Sequence, residues 1–152
     1  MKKKKDIKVL LVDDEVDFVN TLAQRLKMRE LLVDTVYDGE QALSFIKKIE
    51  PDVIVLDLKM PGLHGIEVLR EVKNIRPSIQ VIILTGHGTD KDEEEARQLG
   101  GFDFLRKPAD IDLLVAKIKE AFAEKLERAM TAIAYAEEGV FDTAQKIIRK
   151  EE

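Results

Sequence analysis

The chain has 152 residues, 45% hydrophobic and 36% charged, enough for one domain with a real core and a modest extension. A net charge of -5 argues against nucleic acid as a general partner. There is no cysteine, which excludes disulfides, thiolate metal sites and cysteine nucleophiles and is compatible with a reducing, cytoplasmic setting.

Met1 is followed by Lys2 to Lys5 and then by Asp6-Ile7-Lys8, with no long apolar segment behind the lysines. Neither a signal peptide nor a membrane span is expected, and the lysine run reads as a solubilising N-terminus. The first apolar run, Val9-Leu10-Leu11-Val12, ends in Asp13-Asp14. A helix is predicted from about Val16 to Met28, with Phe18, Leu22 and Leu26 inward, followed by a short strand at Leu32 to Val36. Asp38-Gly39 marks a turn into a second helix with Ala42, Leu43, Ile46 and Ile49 inward, ended by Pro51. The next apolar run, Val53-Ile54-Val55-Leu56, delivers Asp57 ahead of a turn at Met60-Pro61-Gly62. A third helix is expected over Ile66 to Asn74, and a fourth run, Val81-Ile82-Ile83-Leu84, ends in Thr85.

The segment Thr89 to Leu99 offers only Ala96 and Leu99 to bury, so the helix expected there should be weakly held, because most helical stability comes from packing an apolar face. Asp90 and Glu94 repel at helical spacing, and Glu93 with Arg97 returns only about 0.2 to 0.5 kcal/mol. Phe102-Asp103-Phe104-Leu105-Arg106 is the fifth strand, closed by Lys107-Pro108. The fifth helix places Ile111, Val115, Ile118 and Phe122 inward. Its pattern continues through Leu126, Ala129, Ile133 and Ala136 before Gly139, after which Phe141, Ala144, Ile147 and Ile148 suggest a second short helix.

Near-continuous apolar runs of four to six residues separated by helix-length segments describe a parallel sheet buried on both faces. Ligands of such open sheets sit at the carboxyl ends of the strands, where Asp13, Asp14, Asp57, Thr85 and Lys107 would meet. The acids make an oxygen-rich site for a hard divalent cation, with Mg²⁺ the usual choice beside phosphate. Asp57 can attack phosphorus as a carboxylate nucleophile, Lys107 supplies positive charge for phosphoryl oxygens, and Thr85 supplies a hydroxyl.

An acidic pair after the first strand, Asp before Met-Pro-Gly after the third, Thr after the fourth and Lys-Pro after the fifth together resemble the receiver domain of two-component response regulators, over roughly residues 7 to 120. The resemblance implies an α/β fold with a doubly wound, five-stranded parallel sheet, the flavodoxin-like receiver fold, over residues 1–120, with a helical C-terminal extension at 121–152. It implies that Asp57 is the phosphoacceptor, supplied by a sensor histidine kinase or a phosphotransfer protein. It further implies that Asp14, Asp57 and the backbone carbonyl of Lys59 hold Mg²⁺ directly, with Asp13 helping through water. Thr85 and Phe104 would form the switch, and the Lys107–Pro108 bond would be cis. Such a chain is a signalling domain and not an enzyme, whose output is protein contact through the fourth helix, fifth strand and fifth helix. In that family Lys59 and His87 flank the path of the hydrolytic water.

The 34 residues from Lys119 carry six basic and eight acidic side chains, unlike a DNA-binding output domain. The extended fifth helix could pair with a second copy or fold against the last helix. Two other functions are open to this chain: a receiver-shaped interaction module that is never phosphorylated, and a Mg²⁺-dependent phosphohydrolase of the haloacid dehalogenase type. The latter needs an Asp-x-Asp turn that Asp13-Asp14-Glu15 does not provide. A flavodoxin-type carrier is opposed by the same acids, which would repel a flavin phosphate.

Overall fold

The computed structural model describes residues 6–137, so Lys2 to Lys5 and the short helix expected around Phe141 to Ile148 lie outside the described residues. Strands and helices alternate: β1 (Lys8–Val12), α1 (Val16–Lys27), β2 (Leu32–Val36), α2 (Gly39–Lys48), β3 (Val53–Leu56), α3 (Gly65–Ile75), β4 (Gln80–Thr85), α4 (Asp90–Gln98), β5 (Asp103–Arg106) and α5 (Ile111–Glu137). The strands form one parallel sheet in the order β2-β1-β3-β4-β5. The chain leaves β1 toward β2 on one side and reaches β3 on the other, so the order reverses between β1 and β3. A crevice opens at the carboxyl end of such a reversal.

Successive strand side chains point to opposite faces, and each apolar run is therefore divided between two cores. Val9, Leu11, Val53, Val55, Ile82 and Leu84 pack with α1 and α5. Leu10, Val12, Ile54, Leu56, Val81 and Ile83 pack with α2, α3 and α4. Burying a side chain of this size contributes about 1.5 to 3 kcal/mol, which is why no strand interior carries a charge on either face of β3 or β4.

The helices differ in detail from the sequence expectation. The deepest side chains of α1 are Val19, Ala23 and Leu26, while Phe18 and Leu22 pack half-buried at the core's margin. Ile49 is 52% exposed, because α2 stops at Lys48 and Ile49 adopts an extended backbone that turns it off the helical face. Leu114 and Ala121 join Val115, Ile118 and Phe122 beneath α5. Leu126 packs partly against the same core, whereas Ile133 is 56% exposed.

α5 runs antiparallel to the strands, without interruption, from the carboxyl edge of the sheet to and beyond its amino edge. The buried Gln80 amide at the start of β4 donates to the Ala121 carbonyl at 3.0 Å. Lys125 pairs with Asp52, just before β3, at 2.8 Å.

Candidate functional site

Asp13 and Asp57 extend adjacent strands: the Asp57 N–H donates to the Val12 carbonyl at 3.0 Å, which holds the two acids side by side. Strand parity carries Asp13 and Asp57 to the α1 side of the sheet, together with Lys107 after β5. The Lys107 ammonium lies 2.7 Å from Asp13 Oδ2, 3.8 Å from Asp57 Oδ2 and 3.4 Å from Glu15 Oε1. It also stands 4.3 Å from the centre of the Phe18 ring, whose face attracts a cation. Thr85 has the opposite parity and is fully buried on the side of Phe104.

Asp57 is only 3% exposed. A buried carboxylate is costly unless compensated. Here Lys107 supplies charge, and the Lys59 N–H approaches Asp57 Oδ1 at 3.4 Å. Burial pushes the Asp13 carboxyl above its ordinary 3.8, and the Asp57 charge adds to that, against the hydrogen bonds from Lys107 and the Glu15 N–H. Burial alone would lower the Lys107 ammonium. The hydrogen bond and charge of Asp13, helped by Asp57 and Glu15, outweigh it and leave the ammonium above its ordinary 10.5.

Oxygens of Asp13, Asp14 and Asp57 all lie within 4.8 Å of one another, and Asp14 is the most open to solvent of the three. Three hard oxygen donors on one side and open solvent on the other fit a divalent cation that keeps several waters. The loop after β3 turns tightly to frame this space. A Cβ on Gly65 would come within 2.5 Å of the Asp57 carbonyl and 2.4 Å of Leu58 Cα, so only glycine lets α3 start there.

The sequence expectations thus converge: Asp13, Asp14, Asp57, Lys59, Thr85 and Lys107 lie at one edge, and the Lys107–Pro108 bond is cis. Phe104 is buried, 7% exposed, under the loop that follows Thr85. A Cβ on Gly88 would meet Phe104 Cζ at 2.4 Å and Thr85 Cγ2 at 2.8 Å, so Thr85, Gly88 and Phe104 form one close-packed unit. Arg106 ties the same loop from β5. Its guanidinium donates to the Gly88 carbonyl, pairs with Asp90 at 3.2 Å and lies 5.5 Å from the Phe104 ring centre. Glu15, Phe18, Gly88 and Arg106 were not singled out as site residues from sequence. Gly88-Thr89-Asp90 after Thr85 marks a crowded helix entry, but the Arg106 contact crosses strands and leaves no local signal.

The pattern of the response regulator receiver domain matches residues 9–119. Sporulation initiation phosphotransferase F of Bacillus subtilis is 34% identical over 113 residues, 74% of this chain and 91% of that protein. The transcriptional regulatory protein GlrR of Escherichia coli is 34% identical over 116 residues, which are 76% of this chain but only 26% of the regulator. A receiver domain structure from Clostridium thermocellum superposes with a TM-score of 0.75 at 35% identity, covering 78% of this chain and 96% of that one. Against a CheY-like receiver from Methanospirillum hungatei the TM-score is 0.79 at 23% identity, covering 82% and 99%, a likeness of fold.

Proposed function

The chain belongs to the response regulator receiver family, and on that premise we propose that it is a cytoplasmic response regulator receiver that takes a phosphoryl group on Asp57 from a histidine kinase or a phosphotransfer protein. The observation that carries this reading is the grouping of a buried Asp57 with the Lys107 ammonium at 3.8 Å and with two further acids, Asp13 and Asp14.

Asp57 Oδ attacks phosphorus, and the bond to the donor, P–N in a phosphohistidine, breaks with its electron pair leaving on the imidazole nitrogen. Asp13, Asp14 and Asp57, with the Lys59 carbonyl, would hold a Mg²⁺, which would supply the charge that lets an acid and a phosphoryl group approach. Lys107 donates to a phosphoryl oxygen from its position beside Asp57, and Phe18 beneath it keeps the ammonium from swinging into solvent. The Thr85 hydroxyl is the remaining donor within the edge, and its movement toward a phosphoryl oxygen would disturb Gly88 and Phe104, which touch it. The output is then a change in protein contacts on the α4, β5 and α5 face.

The donor must cover the carboxyl edge to reach Asp57. An apolar groove lined by Phe18, Leu22, Pro108, Ala109 and Ile111 opens beside it, and the small side chain of Ala109 leaves that groove open to an incoming helix. No helix among the described residues is long and apolar enough to cross a membrane.

With Mg²⁺ and acetyl phosphate, the protein should gain one acyl phosphate, seen as an 80-dalton mass increase (about one HPO₃), and Asp57→Asn should abolish it. Unchanged phosphorylation of that variant overturns the assignment. An unphosphorylated wild type under the same conditions would favour the pure interaction module, and sustained turnover of para-nitrophenyl phosphate would favour a phosphohydrolase.

A further inference from the structure

We infer that this chain forms an antiparallel homodimer through the outer stripe of α5 and its extension, and that the dimer does not depend on phosphorylation. Gln80 and Lys125 fix α5 at the level of Ala121 to Lys125 against the amino edge of the sheet. The eleven residues from Glu127 to Glu137 then project beyond that edge by ~16 Å, at 1.5 Å per residue. From Ala129 to Ala136 the helix carries no charged side chain and every residue is exposed, with Met130 at 66% and Ile133 at 56%. A helical surface of this kind is ordinarily covered.

Ile118 and Phe122 face the core, as the periodicity predicts, and are not available for pairing. The stripe beside them is Lys119, Ala123, Leu126, Met130, Ile133 and Glu137, spaced by fours and threes as helix pairing requires, with Leu126 half-buried at its border with the core. Its apolar middle is bounded by a cation at one end and an anion at the other. A second copy laid antiparallel, centred near residue 128, sets Lys119 against the partner's Glu137, Ala123 against the partner's Ile133 and Leu126 against the partner's Met130. Small meets large and each charge meets its opposite, twice over by the twofold symmetry. A parallel arrangement would instead set Glu137 against Glu137 and Lys119 against Lys119. Charge pattern therefore selects both the occupant and its direction.

Asp57, Thr85 and Phe104 belong to the opposite end of the sheet and to the loop before α4, none of which touches this stripe. Loading the site should leave the dimer unchanged.

The test is sedimentation of the full chain over a range of concentrations, with and without Mg²⁺ and beryllofluoride. A dimer is expected in both conditions with the same dissociation constant. Ile133→Glu should give a monomer whose melting temperature equals that of the wild type diluted below its dissociation constant, since the side chain is exposed in the monomer, and should still accept phosphate from acetyl phosphate. Glu137→Lys should raise the dissociation constant about two- to fivefold, as for a pair at a solvated rim. Lys119→Glu with Glu137→Lys should restore it. A wild type that stays monomeric throughout, as when the sequence after Glu137 folds back over the stripe, overturns the inference. So does a dimer that appears only with beryllofluoride, one that survives Ile133→Glu, or a charge reversal without rescue.

Discussion

α3 and α4 are neighbours on one face of the sheet and similar in length, 11 and 9 residues, yet they are held by different means. α3 buries Gly65, Val68, Leu69 and Val72 against β3 and β4. α4 buries Ala96 alone, with Leu99 just past its end half-buried, and its remaining anchors are polar: a cap, an ion pair to β5 and Glu95 at 4.0 Å from Arg70 of α3. Thr89 and Asp92 exchange hydrogen bonds at 3.1 and 3.0 Å in a capping box, and Arg106 reaches Asp90 from β5. Dispersion and hydrophobic burial resist displacement in every direction, whereas a cap and an ion pair at one end let the rest of a helix pivot. A helix fixed in the second way beside a buried phosphoacceptor can be re-seated by small changes in the loop that precedes it, while α3 serves as the fixed wall.

The largest expected contrast is in global stability. Leu69→Ala should cost about 2 to 5 kcal/mol, because the site is fully buried and cannot collapse around the void. Ala96→Gly, the equivalent injury to α4, should cost about 1 kcal/mol from helix propensity. Urea unfolding of both variants measures this, and equal losses would mean that α4 is anchored as firmly as α3.

A smaller effect sharpens the same point at the hinge between Thr85 and α4. Gly88→Ala should destabilise by about 1 to 3 kcal/mol, since the added methyl overlaps the Phe104 ring and the Thr85 methyl. Phe104→Leu in the same chain should recover part of that loss, and a double-mutant cycle reads the coupling. Strict additivity would show that Gly88 and Phe104 do not share a packed unit.

The smallest change is at the cap. Thr89→Ala should cost roughly 0.5 to 2 kcal/mol, felt as faster amide exchange in Asp90 to Gln98 with little effect on α3. The backbone N–H of Thr89 holds the Asp92 carboxyl below its ordinary 3.8. The unfolded chain therefore takes up this proton first as acid is added. The contribution of Asp92 is complete above that value and disappears as pH falls through the lower folded value, which exchange rates in α4 across pH 5 to about 2 should follow, allowing for the intrinsic pH dependence of exchange.

Much of the site could be read from the chain because strand ends are local signals. Asp57, Thr85 and Lys107 each terminate an apolar run, and a parallel sheet brings such termini to one edge whatever the details of packing. That α4 has little apolar surface to bury was equally plain from its composition. Glu15, Phe18 and Arg106 were not legible as site residues, because what they contact lies far along the chain: Glu15 and Lys107 are 92 residues apart, and Arg106 and Gly88 are 18 apart. On α5 the inward stripe of Val115, Ile118 and Phe122 was legible from periodicity. Where along the helix the core ends was not, because the apolar spacing continues past the sheet without a break.

The sequence by itself determined the element order, the parallel sheet and the set of polar residues at its carboxyl edge, since two-residue alternation inside buried runs and capped helices between them allow little else. Tertiary structure alone decided which partner each of those residues has. Strand parity sends Asp13, Asp57 and Lys107 to the α1 side and Thr85 to the Phe104 side, so the charge chemistry and the switch occupy opposite faces of one sheet. It also decided where along α5 the protein's own core ends, leaving Met130 and Ile133 exposed beyond Leu126, because only the packed sheet fixes how much of the helix it covers.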